Sequence, residues 1–138
     1  MYKAISEIQT AFRARNLKHT VDQVGGNWLL RASMKGTSST YDFLFIKDDD
    51  NGNDVAVRIL EFVKFPTSRL EKAYEVLNEI QIQYRFIRFA IKEDGNVIVE
   101  YDFPVGYTNI GQGAIEIMMR ITNILDICYP NIMKSIWG

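Results

Sequence analysis

Asp48-Asp49-Asp50-Asn51-Gly52 carries the residue types that could hold a hard cation. An EF-hand loop places its glycine sixth, an acid five residues earlier and a bidentate glutamate twelfth. With Gly52 sixth, the first position is Lys47 and the twelfth is Arg58, both basic. The run therefore reads as a solvated hairpin turn, and no metal is expected. His19 and Cys128 are the only histidine and cysteine. His19 has the pKa range of a general base, but no acid or serine stands near it in a recognisable motif. Cys128 falls on an apolar helical stripe, where a thiol is structural; nucleophilic thiols sit in electropositive, partly open places. Gly106-x4-Gly111-x-Gly113 lies at a helix start, where anions bind, but it lacks the Gly-Lys-Ser/Thr ending of a phosphate loop. It reads as a flexible connection. Phe86, Arg88, Phe89 and Tyr101 have the types of a base-stacking sheet, but Glu100 and Asp102 flank the tyrosine, and stacking platforms need a basic surround. No catalytic residue and no cofactor is expected. The chain reads as a domain that works by its surface.

The bulk numbers agree. The 138 residues suit one domain, 1–138, with 47% hydrophobic and 24% charged residues. A net charge of -1 supplies no basic face for nucleic acid and no pull toward anionic membranes. No apolar run approaches the ~20 residues of a membrane span. A single cysteine and no signal-peptide core point to a reducing cytoplasm.

The elements follow from periodicity. Tyr2, Ile5, Ile8 and Phe12 recur at steps of three and four, one stripe of a helix ending near Asn16. His19 to Val24 is extended, and Gly25-Gly26 breaks it. Asn27 to Lys35 alternates, with Trp28, Leu30, Ala32 and Met34 on the buried side. Thr40 to Lys47 is apolar on both faces and suits a central strand. Asp54 to Phe65 is a third strand, and the three form an antiparallel meander. Ser68-x-x-Glu71 has the form of a capping box, opening a second helix buried through Leu70, Tyr74, Leu77, Ile80 and Tyr84.

The next two strands, Phe86 to Lys92 and Asn96 to Phe103, carry their own register. A two-residue loop would set Phe89 opposite Glu100 and split the apolar sets between two faces. A three-residue loop, Glu93-Asp94-Gly95, sets Ile91 opposite Val97 and Phe89 opposite Val99, so both sets share one face. Register follows the buried face, which predicts the longer loop with Gly95 left-handed. Pro104 to Tyr107 is a connection. Asn109 caps a third helix running to about Tyr129, where Pro130 interrupts it. The order is α-β-β-β-α-β-β-α, an α+β fold with one antiparallel sheet packed against helices.

The third helix is apolar over most of its circumference. Ile110, Ala114, Ile117, Met118, Ile121, Leu125 and Cys128 make the main stripe; Ile115, Met119, Ile124 and Ile127 lie outside it, and Met133, Ile136 and Trp137 follow. A helix this apolar is covered on two sides or is part of an interface. Ile115, Met119, Ile127, Met133, Ile136 and Trp137 are the candidate interface.

Leu77-Asn78, Phe89-x-Ile91-x4-Asn96-Val97, Asp102-Phe103-Pro104 and the closing Leu125-Asp126 with Tyr129-Pro130 resemble the pattern of the YbjN family, bacterial sensory transduction regulators. The layout is also similar to that of type III secretion chaperones, over nearly the whole chain. The resemblance implies a non-enzymatic α+β domain that binds protein or an extended peptide, often as a homodimer. It brings no catalytic residues. A dedicated secretion chaperone would be more acidic than a net charge of -1, which favours the regulator-like family. Two rivals stand beside it: a small-molecule site or enzyme using Arg88, Glu100 and Tyr101 on the open sheet face, and a purely structural subunit.

Overall fold

The computed structural model describes residues 1–51, 54–106 and 109–138. The Gly52-Asn53 end of the acidic turn and the Tyr107-Thr108 part of the last connection lie outside the described residues. The elements are α1 Lys3–Ala14, β1 Thr20–Val24, β2 Asn27–Lys35, β3 Thr40–Lys47, β4 Asp54–Lys64, a 3₁₀ turn Thr67–Arg69, α2 Leu70–Gln83, β5 Arg88–Ile91, β6 Asn96–Pro104 and α3 Ile110–Trp137. The strands form a six-stranded sheet in the order β1-β2-β3-β4-β6-β5, with every neighbouring pair antiparallel.

The expected α+β order holds, with one strand more than its periodicity showed. The extended stretch after α1 is β1, and Val24 pairs with Asn27 across a two-residue Gly25-Gly26 turn. Its five residues are nearly all exposed, so it has no apolar alternation to announce it.

One face of the sheet is the core. Leu30, Phe43, Phe45, Val57, Ile59, Val97 and Val99 share it by register, and Ile5, Ile8 and Phe12 of α1, Leu77 of α2 and Met118, Ile121 and Leu125 of α3 join them in a single buried cluster. Each such side chain contributes about 1.5–3 kcal/mol when fully buried. β3 is central, as its two apolar faces require. Between Ile59 and Val63 the β4–β6 ladder shifts, so three β4 residues face one on β6. The bulge returns Phe62 to the core side, where it meets Tyr41, Phe89 and Tyr129. Asn96 Nδ2 donates to the freed Leu60 carbonyl at 2.7 Å.

The last hairpin has the longer-loop register. Ile91 pairs with Val97 and Phe89 with Val99, and Gly95 has φ +91°. Gly95 also lies against the strand end: Phe65 N–H donates to its carbonyl at 2.9 Å.

Three expectations are corrected. The capping box does not form: Thr67–Arg69 winds into a 3₁₀ turn in which Arg69 N–H donates to Pro66 O at 2.9 Å. The helix start is thus shifted to Arg69, past the serine, and α2 begins without a side-chain cap. On α2, Ala73, Leu77 and Ile80 are buried, whereas Tyr74 is 57% exposed and Leu70 and Tyr84 are half-buried. Leu77 and Ile80 keep their expected places, and Ala73 rather than Tyr74 completes the buried stripe.

Third, α3 does not stop at Pro130 but continues to Trp137. A proline inside a helix has no N–H for the carbonyl four residues earlier. Here that carbonyl belongs to Asp126, and Ser38 Oγ donates to it at 3.2 Å. A group from the β2–β3 turn takes the place of the missing donor. At its other end α3 is capped as expected, with Asn109 Oδ1 accepting from Gln112 N–H at 3.2 Å. Gly111 permits α1 and α3 to touch: a Cβ there would lie 2.5 Å from the Ala11 Cβ and 2.7 Å from the Glu7 carbonyl oxygen. Its absence of side chain serves packing.

Candidate functional surface

The acidic turn meets the start of α1. Asp50 Oδ1 accepts from Lys3 N–H at 2.8 Å, satisfying one of the donors a helix N-terminus leaves open. Lys47, 2% exposed, places its Nζ 3.6 Å from Asp49 Oδ1. Among the described residues no group of three or more His, Cys, Asp and Glu could hold a metal ion. His19 is half-buried, its Nδ1 2.8 Å from the Leu17 carbonyl and its ring edge-on to Phe12. A carbonyl only accepts, so Nδ1 carries the proton. Cys128 is buried, and burial pushes its thiol pKa up, away from the nucleophilic range.

On the open face, lateral register lines up Thr20, Arg31, Leu44, Arg58, Glu100 and Arg88. One half of this row is neutralised internally. Arg58 reaches Glu100 at 3.3 Å and Asp102 at 2.5 Å, and Arg88 reaches Glu100 at 2.9 Å. Tyr101 points to the other face and stacks on Phe86 at 4.4 Å, with the Arg120 guanidinium 5.5 Å from the Phe86 centroid. The structure thus does not bring Arg88, Glu100 and Tyr101 together as one receptive site. The larger hollow lies beside the other half of the row: an open groove of about 1060 Å³ lined by Leu17, Arg31, Ser33, Asp42, Leu44 and Leu60, among others. Ser33 Oγ and Asp42 Oδ1 are hydrogen-bonded across it at 2.5 Å. Arg31 and Asp42 were not singled out from sequence, because alternation alone assigns such residues to solvent.

α3 is fastened to the β2–β3 turn through Asp126. Its carboxylate accepts from the amides of Thr37 at 2.9 Å and Ser38 at 3.1 Å and from the Tyr41 hydroxyl at 2.8 Å. Burial pushes the Asp126 carboxyl up, but these donors outweigh it and hold its pKa below the ordinary carboxylate value. Tyr41 moves the opposite way: burial, and then the carboxylate that accepts its proton, push its pKa up. This fastening and the buried apolar residues of α3 act together to hold one side of the helix inward.

That outward side carries the apolar surface. Met119 is 48%, Ile127 64% and Trp137 80% exposed, and Met133 is half-buried. Ile115 and Ile136, by contrast, are 2% and 7% exposed, so they pack in the chain's own core and are not available to a partner. The two were misplaced because α3 is buried over a wider arc than one stripe. α2 carries exposed Tyr74 and Ile82 as well, and α3 carries the most exposed large side chain, Trp137.

The residues that resemble the family pattern serve the fold: Asp126 makes the fastening, and Phe89, Val97 and Phe103 line the core. The YbjN family model, described as "Putative bacterial sensory transduction regulator", matches residues 5–128. The chain belongs to the YbjN family. The match spans α1 to the Cys128 turn of α3, and so takes in the whole sheet and the Asp126 fastening of this YbjN member. No curated protein matches the chain at a significant level. No described helix is long and apolar enough to cross a membrane.

Proposed function

We propose that this YbjN member is a non-enzymatic, protein-binding regulator or chaperone-like adaptor of the cytoplasm, and that its working surface is the outward side of α3, where it meets a second copy. The observation that carries this reading is the exposure of Met119, Ile127 and Trp137 on one helix, set against polar groups elsewhere that are engaged in structure. Interfaces are enriched in Trp and Met, and a large buried aromatic is the usual energetic centre of one. Replacing Trp137 with alanine is expected to weaken self-association by at least about tenfold while leaving the unfolding midpoint of the monomer unchanged, since the indole is already 80% exposed. Sedimentation equilibrium of the two proteins reads this directly; equal association constants would sink the reading.

A second reading, a small-ligand site, is favoured by the groove beside Arg31. It predicts a rise in melting temperature with some ligand, by mass action on the native state, that Arg31→Ala abolishes. The protein-binding reading predicts no such shift, so a thermal-shift screen separates the two.

A further inference from the structure

One row of exposed residues on α3 keeps a strict spacing, with exposed Met119 and Asn131 beside it. Glu116, Arg120, Asn123, Ile127, Lys134 and Trp137 are all exposed, and with exposed Pro130 between Ile127 and Lys134 the steps alternate four and three throughout. This is the spacing of the a and d positions of a heptad. The buried stripe through Ala114, Met118, Ile121, Leu125 and Cys128 already docks α3 on its own sheet. The helix therefore presents a second row at seam spacing on its outward side, apolar at Ile127, Pro130 and Trp137 and polar at Glu116, Arg120, Asn123 and Lys134.

We propose that this seam pairs with the same seam of a second copy, the two α3 helices antiparallel about a two-fold axis level with Leu125. This rests on the reading of α3 as the assembly surface and goes on to specify the register. In an antiparallel pair each a position meets a d position. Setting Asn123 opposite Ile127 then places Arg120 opposite Pro130, Glu116 opposite Lys134 and Gly113 opposite Trp137, each twice by symmetry.

Charge and volume both select this register. Within the chain, Glu116 and Lys134 make no ion pair with another described residue, and here each finds its opposite. A side chain added at Gly113 would meet nothing within 4 Å, which leaves room for the second copy's indole. A glycine inside a helix weakens it, and an aromatic seated on it is a packing reason for it to be there. The paired seam from residue 113 to residue 137 would run about 36 Å. The competing alignments do worse. Moving the register so that Ile127 meets Pro130 carries Glu116 past the end of the helix and sets Lys134 against Asn123. Moving it the other way sets Glu116 against Ile127. Parallel pairing stacks Glu116 on Glu116 and Lys134 on Lys134, and like charges at facing positions are rejected.

Charge reversal in the full chain tests the pairing. Glu116→Lys and Lys134→Glu each turn two attractive contacts into two repulsive ones, and each is expected to weaken dimerisation about tenfold with unchanged unfolding of the monomer. Combining them restores opposite charges and is expected to return the dissociation constant to within about threefold of wild type. A double variant as weak as the product of the two singles, or singles without effect, overturns this register while leaving the dimer in place. A wild type that stays monomeric at every concentration overturns the register together with the reading beneath it.

Discussion

Gly95→Val is expected to cost about 3–4 kcal/mol, enough to lower the melting temperature by about 10 °C in a chain of this size. Two independent constraints meet at this residue. Its φ of +91° is one that a β-branched side chain resists. A Cβ on this backbone would also lie 1.9 Å from the Phe65 carbonyl oxygen, and that atom belongs to backbone, so it does not swing aside. The strand end at Phe65, itself fully buried, would have to move, and with it the Phe65–Gly95 hydrogen bond. Gly26 is the internal control. It sits in the other glycine turn with nothing within 4 Å of an added Cβ, so Gly26→Ala is expected to change stability by less than about 0.5 kcal/mol. Thermal unfolding of the pair checks both; a Gly95→Val protein that melts like wild type would contradict the hairpin register.

Asp126→Ala should be the next most damaging change, at about 2 kcal/mol. It strands the Tyr41 hydroxyl, on a residue 2% exposed, and removes the acceptor for the Thr37 and Ser38 amides, which are exposed and recover part of the loss from water. The same carboxylate makes stability depend on acid. Its pKa is lowered in the folded chain, whereas an unfolded aspartate titrates near about 3.9. The contribution is therefore complete above that value and is lost as pH falls below it through the folded value. Asp126→Asn keeps the shape and one acceptor but does not titrate. Wild type is accordingly expected to lose more stability than Asp126→Asn between about pH 4 and pH 2, as read by denaturant unfolding at a series of pH values. Parallel acid limbs for the two proteins would mean that the fastening is not held by the charged form.

These two sites show what sequence reading reached and what it did not. The β5–β6 register was legible because both strands alternate cleanly and only one loop length puts Phe89, Ile91, Val97 and Val99 on a common face. β3 was legible as central because it is apolar on both sides. β1 was legible only as an extended stretch ended by Gly25-Gly26, since an edge strand with exposed side chains leaves no apolar alternation to place it in the sheet. The Ser68-x-x-Glu71 pattern misled because Ser68 is taken into a 3₁₀ turn and the helix itself begins only after Arg69. The passage of α3 through Pro130 was out of reach for a related reason: the compensating donor, Ser38, lies 88 residues from Asp126. On α3 itself, apolar content pointed to an interface, but which residues are free depends on how the helix is rotated. The wide buried arc of α3, with Asp126 bonded to the β2–β3 turn, fixes that rotation, with Ile115 and Ile136 inward and Met119, Ile127 and Trp137 outward.

The outward side of α3 is the centre of the account, and molar mass tests it most directly. Light scattering of the purified chain over a wide concentration range is expected to give twice the 15.9 kDa of one chain, falling toward 15.9 kDa on dilution and falling sooner in Trp137→Ala. A mass of 15.9 kDa at every concentration, with wild type and Trp137→Ala indistinguishable, would contradict it.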